Sequence, residues 1–230
     1  SASIAHEIRN PLAAISGSVE VLRSDLSVSG ENERLMSLIV KESHRLSRIL
    51  TDFLTYARIG RTAYERVELC HVMADVLQIV QHHESYRPDI TISLHSRDAC
   101  VYVLGDDDLV KRLAVSLVIT ACEAVGERPG HVRLVITPTA SGGAVLEVSD
   151  DGSGIAQEHL ARVFEPFYST KKQGTGLGLS IVHRICSLLR LSISVDSSPT
   201  KGTTFRIEFP ASGRPVESAA SPSREVTPHA

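Results

Sequence analysis

Three short stretches of this sequence combine residue types and spacings that could do chemistry. In "SIAHEIRNP", His6 stands beside Glu7, Asn10 follows the histidine by four residues and Pro11 closes the group. Helix positions four apart share a face, so an imidazole and a carboxamide would meet at one point, with a carboxylate next to them. In "VSDDGSGI", Asp150 and Asp151 end an apolar run and lead into Gly152, Ser153 and Gly154. A carboxylate there can accept a hydrogen bond from an exocyclic amine, and glycines let backbone approach a flat ring or a phosphate. In "KKQGTGLGLSIV", Gly174, Gly176 and Gly178 precede and open a helical pattern. Unpaired N–H groups at a helix start, with Lys171 and Lys172 beside them, make an anion site. Between the two glycine runs lies "VFEPFYST", whose Phe164 and Phe167 could anchor a mobile flap by burying their rings. Taken singly, each glycine run reads equally well as a structural turn, and the phenylalanines as ordinary core.

These groups need elements to hold them. Apolar residues recur at Ile4, Ile8, Leu12, Ile15, Val19, Leu22 and Leu26, a heptad-like seam. The turn "SVSGEN" ends it, and a second seam runs through Leu35, Ile39, Glu42, Leu46, Ile49, Phe53 and Tyr56. A two-helix hairpin results. Alone it cannot bury both seams, which points to a four-helix bundle formed by two copies; docking of the hairpin on its own second domain is the alternative. "ARIGRTAYERVEL" breaks the period as a linker. Helices are then expected over His71–Glu84, Asp107–Val125 and from about Gly176 to Leu189, with strands at "ITISLHS", "VYVLG", "HVRLVITP", "AVLEVSD", "LSISVD" and "TTFRIEF". Helices interleaved with antiparallel strands predict an α+β sandwich with helices on one sheet face. The expected organisation is a helical hairpin over residues 1–60, an α+β domain over 61–210 and a disordered Pro/Ser/Ala-rich tail over 211–230.

Composition excludes several classes. At 230 residues and 42% hydrophobic content, the chain can bury a substantial core. A net charge of -3 with scattered basic residues leaves no footprint for nucleic acid. Cys70, Cys100, Cys122 and Cys186 form no CxxC pair, which fits a reducing, cytoplasmic setting. The longest apolar run, from Leu113, is about half of the roughly 20 residues a membrane span needs. With no signal peptide and an opening in mid-helix without methionine, the chain reads as a segment of something larger.

In this order, the motifs resemble those of the sensor histidine kinases of two-component systems. "HEIRNPL" is similar to their phosphoacceptor box, "DDGSGI" and "GTGLGL" to their two glycine boxes, and "FEPFYSTK" to their F box; the short lid resembles that of nitrogen-regulator and pilus-type members. The resemblance implies a dimeric four-helix bundle followed by a histidine-kinase/gyrase/Hsp90-like ATPase sandwich. It implies that His6 receives the γ-phosphoryl group of ATP and passes it to a response-regulator aspartate. Glu7 would orient the imidazole and take its proton, while Asn10 would hold a water for dephosphorylating the partner. Off its helix's apolar seam, His6 should face solvent. Asp150 would read adenine, with Gly152 and Gly154 against the ring. Gly174, Gly176 and Gly178 would form the phosphate loop, joined by Lys171, Thr175 and Leu177, with Mg²⁺ bridging the phosphates. Partner choice would lie near Ile15, Ser16 and Val19, and the parent protein would be anchored in the inner membrane.

One motif departs from the family. Where its N box carries a polar residue and, four positions on, a metal-binding asparagine, this chain has Ser116 and Thr120. The shorter threonine side chain predicts a water-bridged metal contact. Glu123, on the same helical face, is either a compensating ligand or an ordinary surface glutamate. The expectation is a weakened autokinase with phosphatase or nucleotide-sensing capacity retained. An ATP-driven clamp ATPase is the remote alternative. His44, His82 and His83 read as surface and helix-end residues.

Overall fold

The structure, a computed structural model, describes residues 2–25, 29–58, 62–98, 100–171 and 174–211; side chains at 2–7, 9, 55 and 58 fall outside that description. Of the expected disordered tail over 211–230, residues 212–230 lie outside it, as does the second lysine of the glycine loop, Lys172.

Two long helices, α1 (Ala2–Asp25) and α2 (Glu31–Arg58), form the predicted hairpin. Gly30 turns the chain at φ 69°, and Glu31 and Glu33 stabilise the positive end of the α2 dipole. Ser43 donates from Oγ to the Leu12 carbonyl at 2.8 Å across the pair. Most seam residues remain exposed in the single chain: Ile8, Ile15, Leu22, Leu35, Ile39, Leu46 and Phe53. Tyr56 departs from the seam. It packs against the second domain's core, under the Arg184 guanidinium at 5.1 Å from its ring centroid. Self-docking therefore holds for the end of α2, while the seam stays open. Ser16, expected on a partner-reading surface, is instead buried, whereas Ile15 is exposed.

The expected linker carries order of its own. Strand β1 (Glu65–Glu68) pairs antiparallel with β3 (Tyr102–Gly105) in a two-stranded ribbon, and α3 begins directly after β1, at Leu69–Gln81 rather than His71–Glu84. The main sheet has five strands in the order β2 (Ile90–Ser96), β4 (Gly130–Pro138), β5 (Ala144–Asp150), β7 (Gly202–Phe209), β6 (Ser192–Ser198). All pairings are antiparallel except β2 with β4. Those two run parallel because the crossover helix α4 (Asp107–Val125) lies between them. The sheet alternates with period two: Val132, Leu134, Ile136, Leu146, Val148, Phe205 and Ile207 face the helices and are buried. On the outer face, Arg206 spans from Glu147 (2.9 Å) to Glu208 (3.1 Å). The inner face is covered by α3, α4 and α6 (Gly178–Leu189). A single turn, α5 (Gln157–Leu160), precedes the lid. The α+β sandwich with helices on one face is thus the observed fold.

Candidate functional site

Helix α4 is the site's floor. Asp106 caps it, accepting from the Leu109 N–H at 3.1 Å, and Leu113, Leu117, Ala121 and Val125 fix one face on the sheet. The opposite face then presents Ser116, Thr120 and Glu123 to a cleft of about 740 Å³. The other walls are the end of β5, the loop before α6, and α2 through Ser47, Arg48, Thr51 and Asp52.

Asp150 and Asp151 separate in role. Asp150 is 9% exposed at the end of β5, and its Oδ1 accepts from the Gly152 N–H at 2.8 Å. Burial pushes its carboxyl above the usual range, against the Gly152 and Thr203 hydrogen bonds and the Lys171 charge that favour ionisation. Asp151 instead ties β5 to β4, its Oδ1 accepting from the His131 N–H at 3.0 Å. Of the two, Asp150 lines the cleft.

The glycines serve the chain more than a ligand. Gly152 is absent from the cleft wall; a Cβ there would strike the Ala124 backbone, so Gly152 lets the loop lie against α4. Gly154 lines the cleft, yet its missing Cβ faces the Ser198 carbonyl at φ 70°. Gly176 closes the lid base by accepting at its carbonyl from the Phe167 N–H at 2.9 Å. The F box divides too. Phe164 packs edge-on against Phe205 at 6.5 Å between centroids. Phe167, expected as a buried anchor, is 60% exposed and contributes a backbone bend at φ 65°.

Gly174, Thr175, Gly176 and Gly178 all reach the cleft. Leu177 does not: its side chain is fully buried in the core and its N–H donates to Thr175 Oγ1 at 3.3 Å. The Thr175 hydroxyl donates to Asp52 Oδ2 at 2.8 Å, linking lid to hairpin. Asp52 is mostly desolvated there, which raises its carboxyl above the ordinary value against the pull of Thr175 and Arg48. Arg48 in turn pairs with Glu84 at 2.7 Å. Tyr168 bonds His159 Nδ1 at 2.7 Å on the other side of the cleft. Sequence reasoning missed Asp52, Arg48, His159 and Tyr168; the only local signal was the polar Arg48/Asp52 pair, four apart and off the α2 seam.

The residues present do not fit a directly bound Mg²⁺. That ion needs near-octahedral oxygen ligands, with carboxylates among its usual protein contacts. Ser116 Oγ donates to the Gly178 carbonyl at 3.0 Å and Thr120 Oγ1 to the Ser116 carbonyl at 2.8 Å. Glu123 is held by the Lys171 ammonium at 2.9 Å, which also donates to the Thr120 carbonyl at 3.1 Å. Glu123 is thus an ion-pair partner, neither a free metal ligand nor a bare surface residue. Among the described residues no group of three or more His, Cys, Asp or Glu side chains could hold a metal.

At the hairpin, Asn10 is exposed. His6 and Glu7 belong to α1, and their side chains, including the expected solvent-facing imidazole, lie outside the described residues.

A phosphoacceptor-type hairpin joined to a nucleotide-type α+β sandwich defines a class, and the comparisons agree. The His Kinase A (phospho-acceptor) domain family matches residues 1–62 and the histidine kinase-, DNA gyrase B-, and HSP90-like ATPase family residues 105–213. The chain belongs to the sensor histidine kinases. Sensor histidine kinase ZraS of Klebsiella oxytoca is 32% identical over 213 residues, covering 93% of this chain and 46% of that protein. The chain therefore spans less than half of that relative. Two solved structures share the fold across 91% of this chain. Full-length ShkA in complex with AMPPNP has TM-score 0.67, 23% identity and 45% of its own chain covered. Histidine kinase ThkA in complex with response regulator protein TrrA has TM-score 0.66, 24% identity and 60% covered. Among the described residues no helix is long and apolar enough to cross a membrane.

Proposed function

We propose that this chain is the ATP-binding and phosphotransfer core of a two-component sensor kinase. The observation that carries the reading is the assembled cleft, which brings Asp150, Lys171 and the loop over Gly174–Gly178 together, with α2 of the histidine hairpin as one wall. Asp150 accepts from the adenine amino group. The free N–H groups opening α6 and the Lys171 ammonium meet the phosphates. A ring nitrogen of His6 attacks the γ-phosphorus: a P–N bond forms, the bond to the β–γ bridging oxygen breaks, ADP leaves and the ring proton passes to Glu7. The phosphohistidine then donates to an aspartate of a response regulator. Support for that step comes from ThkA, which shares the fold and was solved in complex with response regulator protein TrrA. Asn10 positions water for the reverse task, hydrolysis of the partner's aspartyl phosphate. Among the described residues magnesium has no ligand set, and none of these steps runs through it.

The exposed apolar seam supports a homodimer, two hairpins burying it as four helices. ATP as substrate places the reaction in the cytoplasm, with sensing and any membrane anchor supplied by other parts of the protein. A second reading, a kinase-weakened phosphatase or nucleotide sensor, is favoured by one observation, the inward-turned hydroxyls of Ser116 and Thr120. Radiolabelled ATP with wild type, His6→Gln and Thr120→Asn distinguishes the two. Label on wild type lost with His6→Gln supports the autokinase; faint label strengthened by Thr120→Asn supports the second reading. Label that survives His6→Gln overturns the phosphoacceptor assignment.

A further inference from the structure

We propose that this domain takes its nucleotide free of divalent metal, with the Lys171 ammonium serving as the resident cation of the phosphate end. The inference rests on the nucleotide-binding reading above and concerns the form of the ligand.

Three features of the cleft lead there. The α4 face that should hold a metal is satisfied internally, because the Ser116 and Thr120 hydroxyls each donate to a backbone carbonyl. The carboxylate on that face, Glu123, is already paired with the Lys171 ammonium at 2.9 Å. The same ammonium also donates to the Thr120 carbonyl at 3.1 Å, so it holds the carboxylate on that face and an adjacent carbonyl oxygen. A dication placed there would meet a fixed monocation across a few ångströms inside a cleft, where screening is weaker than in bulk water.

Lys171 is equipped for the task. A lysine ammonium has three donors; Glu123 and Thr120 engage two and aim the group, and among the described residues the third has no partner and can meet a phosphate oxygen. Its side chain is about one-third exposed, 35%, enough to be reached by a ligand in the cleft. Gly178, whose carbonyl receives the Ser116 hydroxyl, opens α6 beside it, and helix α6 has no side-chain cap at its start. Its first N–H groups add fixed donors for the remaining phosphate charge. The ligand class is a nucleoside di- or triphosphate in its metal-free form.

The test is calorimetric titration of the whole chain with ATP, once with excess EDTA and once with excess Mg²⁺ at matched ionic strength. Binding in EDTA within about threefold of that in Mg²⁺, or tighter, is the expected result. Lys171→Met should then weaken EDTA binding by about tenfold or more, Lys171→Arg should retain most of it, and Thr120→Asn should shift the preference toward Mg²⁺. Melting curves confirm that each variant folds. Wild-type binding that tightens about tenfold or more with Mg²⁺ overturns the proposal while leaving nucleotide binding intact. Undiminished EDTA binding by a folded Lys171→Met variant overturns the role of the lysine. No binding in either condition overturns the nucleotide reading itself, and the inference with it.

Discussion

Gly176→Ala should damage nucleotide binding far more than Gly174→Ala, although both glycines belong to one three-residue run. Gly176 sits at φ 69°, where an L-residue costs about 1–2 kcal/mol. A Cβ there would lie 2.5 Å from the carbonyl carbon of Phe167 and 2.8 Å from its Cα. Those are main-chain atoms of a residue itself at φ 65°, so no rotamer change relieves the overlap. Breaking the hydrogen bond from Phe167 to Gly176 adds about 1–2 kcal/mol. The sum, about 2–4 kcal/mol, corresponds to roughly thirtyfold to a thousandfold in affinity. The lid base lies outside the buried core, so it should open in response, and the loss should appear in ATP binding with the melting temperature nearly unchanged. At Gly174 the nearest atom is the Ser169 hydroxyl, the end of a side chain that can rotate, and the expected loss is under about fivefold. Gly178→Ala belongs with it, since Ser116 Oγ at 3.2 Å need give only a few tenths of an ångström. Titrating the three variants with ATP, with melting curves alongside, decides the matter. Equal losses at Gly174 and Gly176, or no loss at Gly176, would refute the claim that these glycines exist for contact between chain segments.

Three further outcomes follow from the same structure. Asp52 has a carboxyl raised by burial, so its contribution to stability is present below the ordinary carboxylate range and is lost as pH rises through the raised value. Asp52→Asn keeps an acceptor for Thr175 without the charge; it should raise the melting temperature at neutral pH and give no gain near about pH 4. Asp150, also raised by burial, must be ionised to accept fully from an amino group, so ATP affinity should begin to fall with acidification above the usual carboxylate range. A flat affinity across that range would contradict its role. Ile39→Glu, at an exposed seam position, should convert a dimer to monomer in light scattering while leaving the far-ultraviolet helical signal of the second domain intact.

The parts of the fold legible in the sequence were those with local signals. Heptad spacing gave α1 and α2, alternation gave β4, β5 and β7, and acceptor and glycine types located Asp150 and the lid. What was hidden depends on which surfaces meet. Strand β1, four residues long, is ordered by pairing with β3, a partner more than thirty positions away that no short window contains. Asp52 enters the site because α2 docks on the domain through Tyr56 and accepts the Thr175 hydroxyl at Asp52; its only local sign, the polar Arg48/Asp52 pair off the seam, does not say which surface it meets. Lys171 and Glu123 lie 48 positions apart, so the sequence showed a missing asparagine without showing the cation that stands near it. Leu177, placed among ligand contacts by its neighbours, is core because the preceding loop turns it inward.

The bond from Phe167 to Gly176 also bears on how the lid can change. It fixes both ends of the intervening segment, and the start of α6 is anchored separately by Leu177 in the core and by Ser180, whose Oγ donates to the Leu177 carbonyl at 2.9 Å. With its ends held in this way, the entropic cost of closing the span grows only with the logarithm of its length, about 0.6 kcal/mol for each doubling. Lengthening, shortening or exchanging it leaves the sheet in place and alters only the ties that the lid itself makes, from Thr175 to α2 and from Lys171 to α4. The domain is thus built as a socket for interchangeable lids, in which the grip on the phosphates can diverge while the fold beneath stays the same.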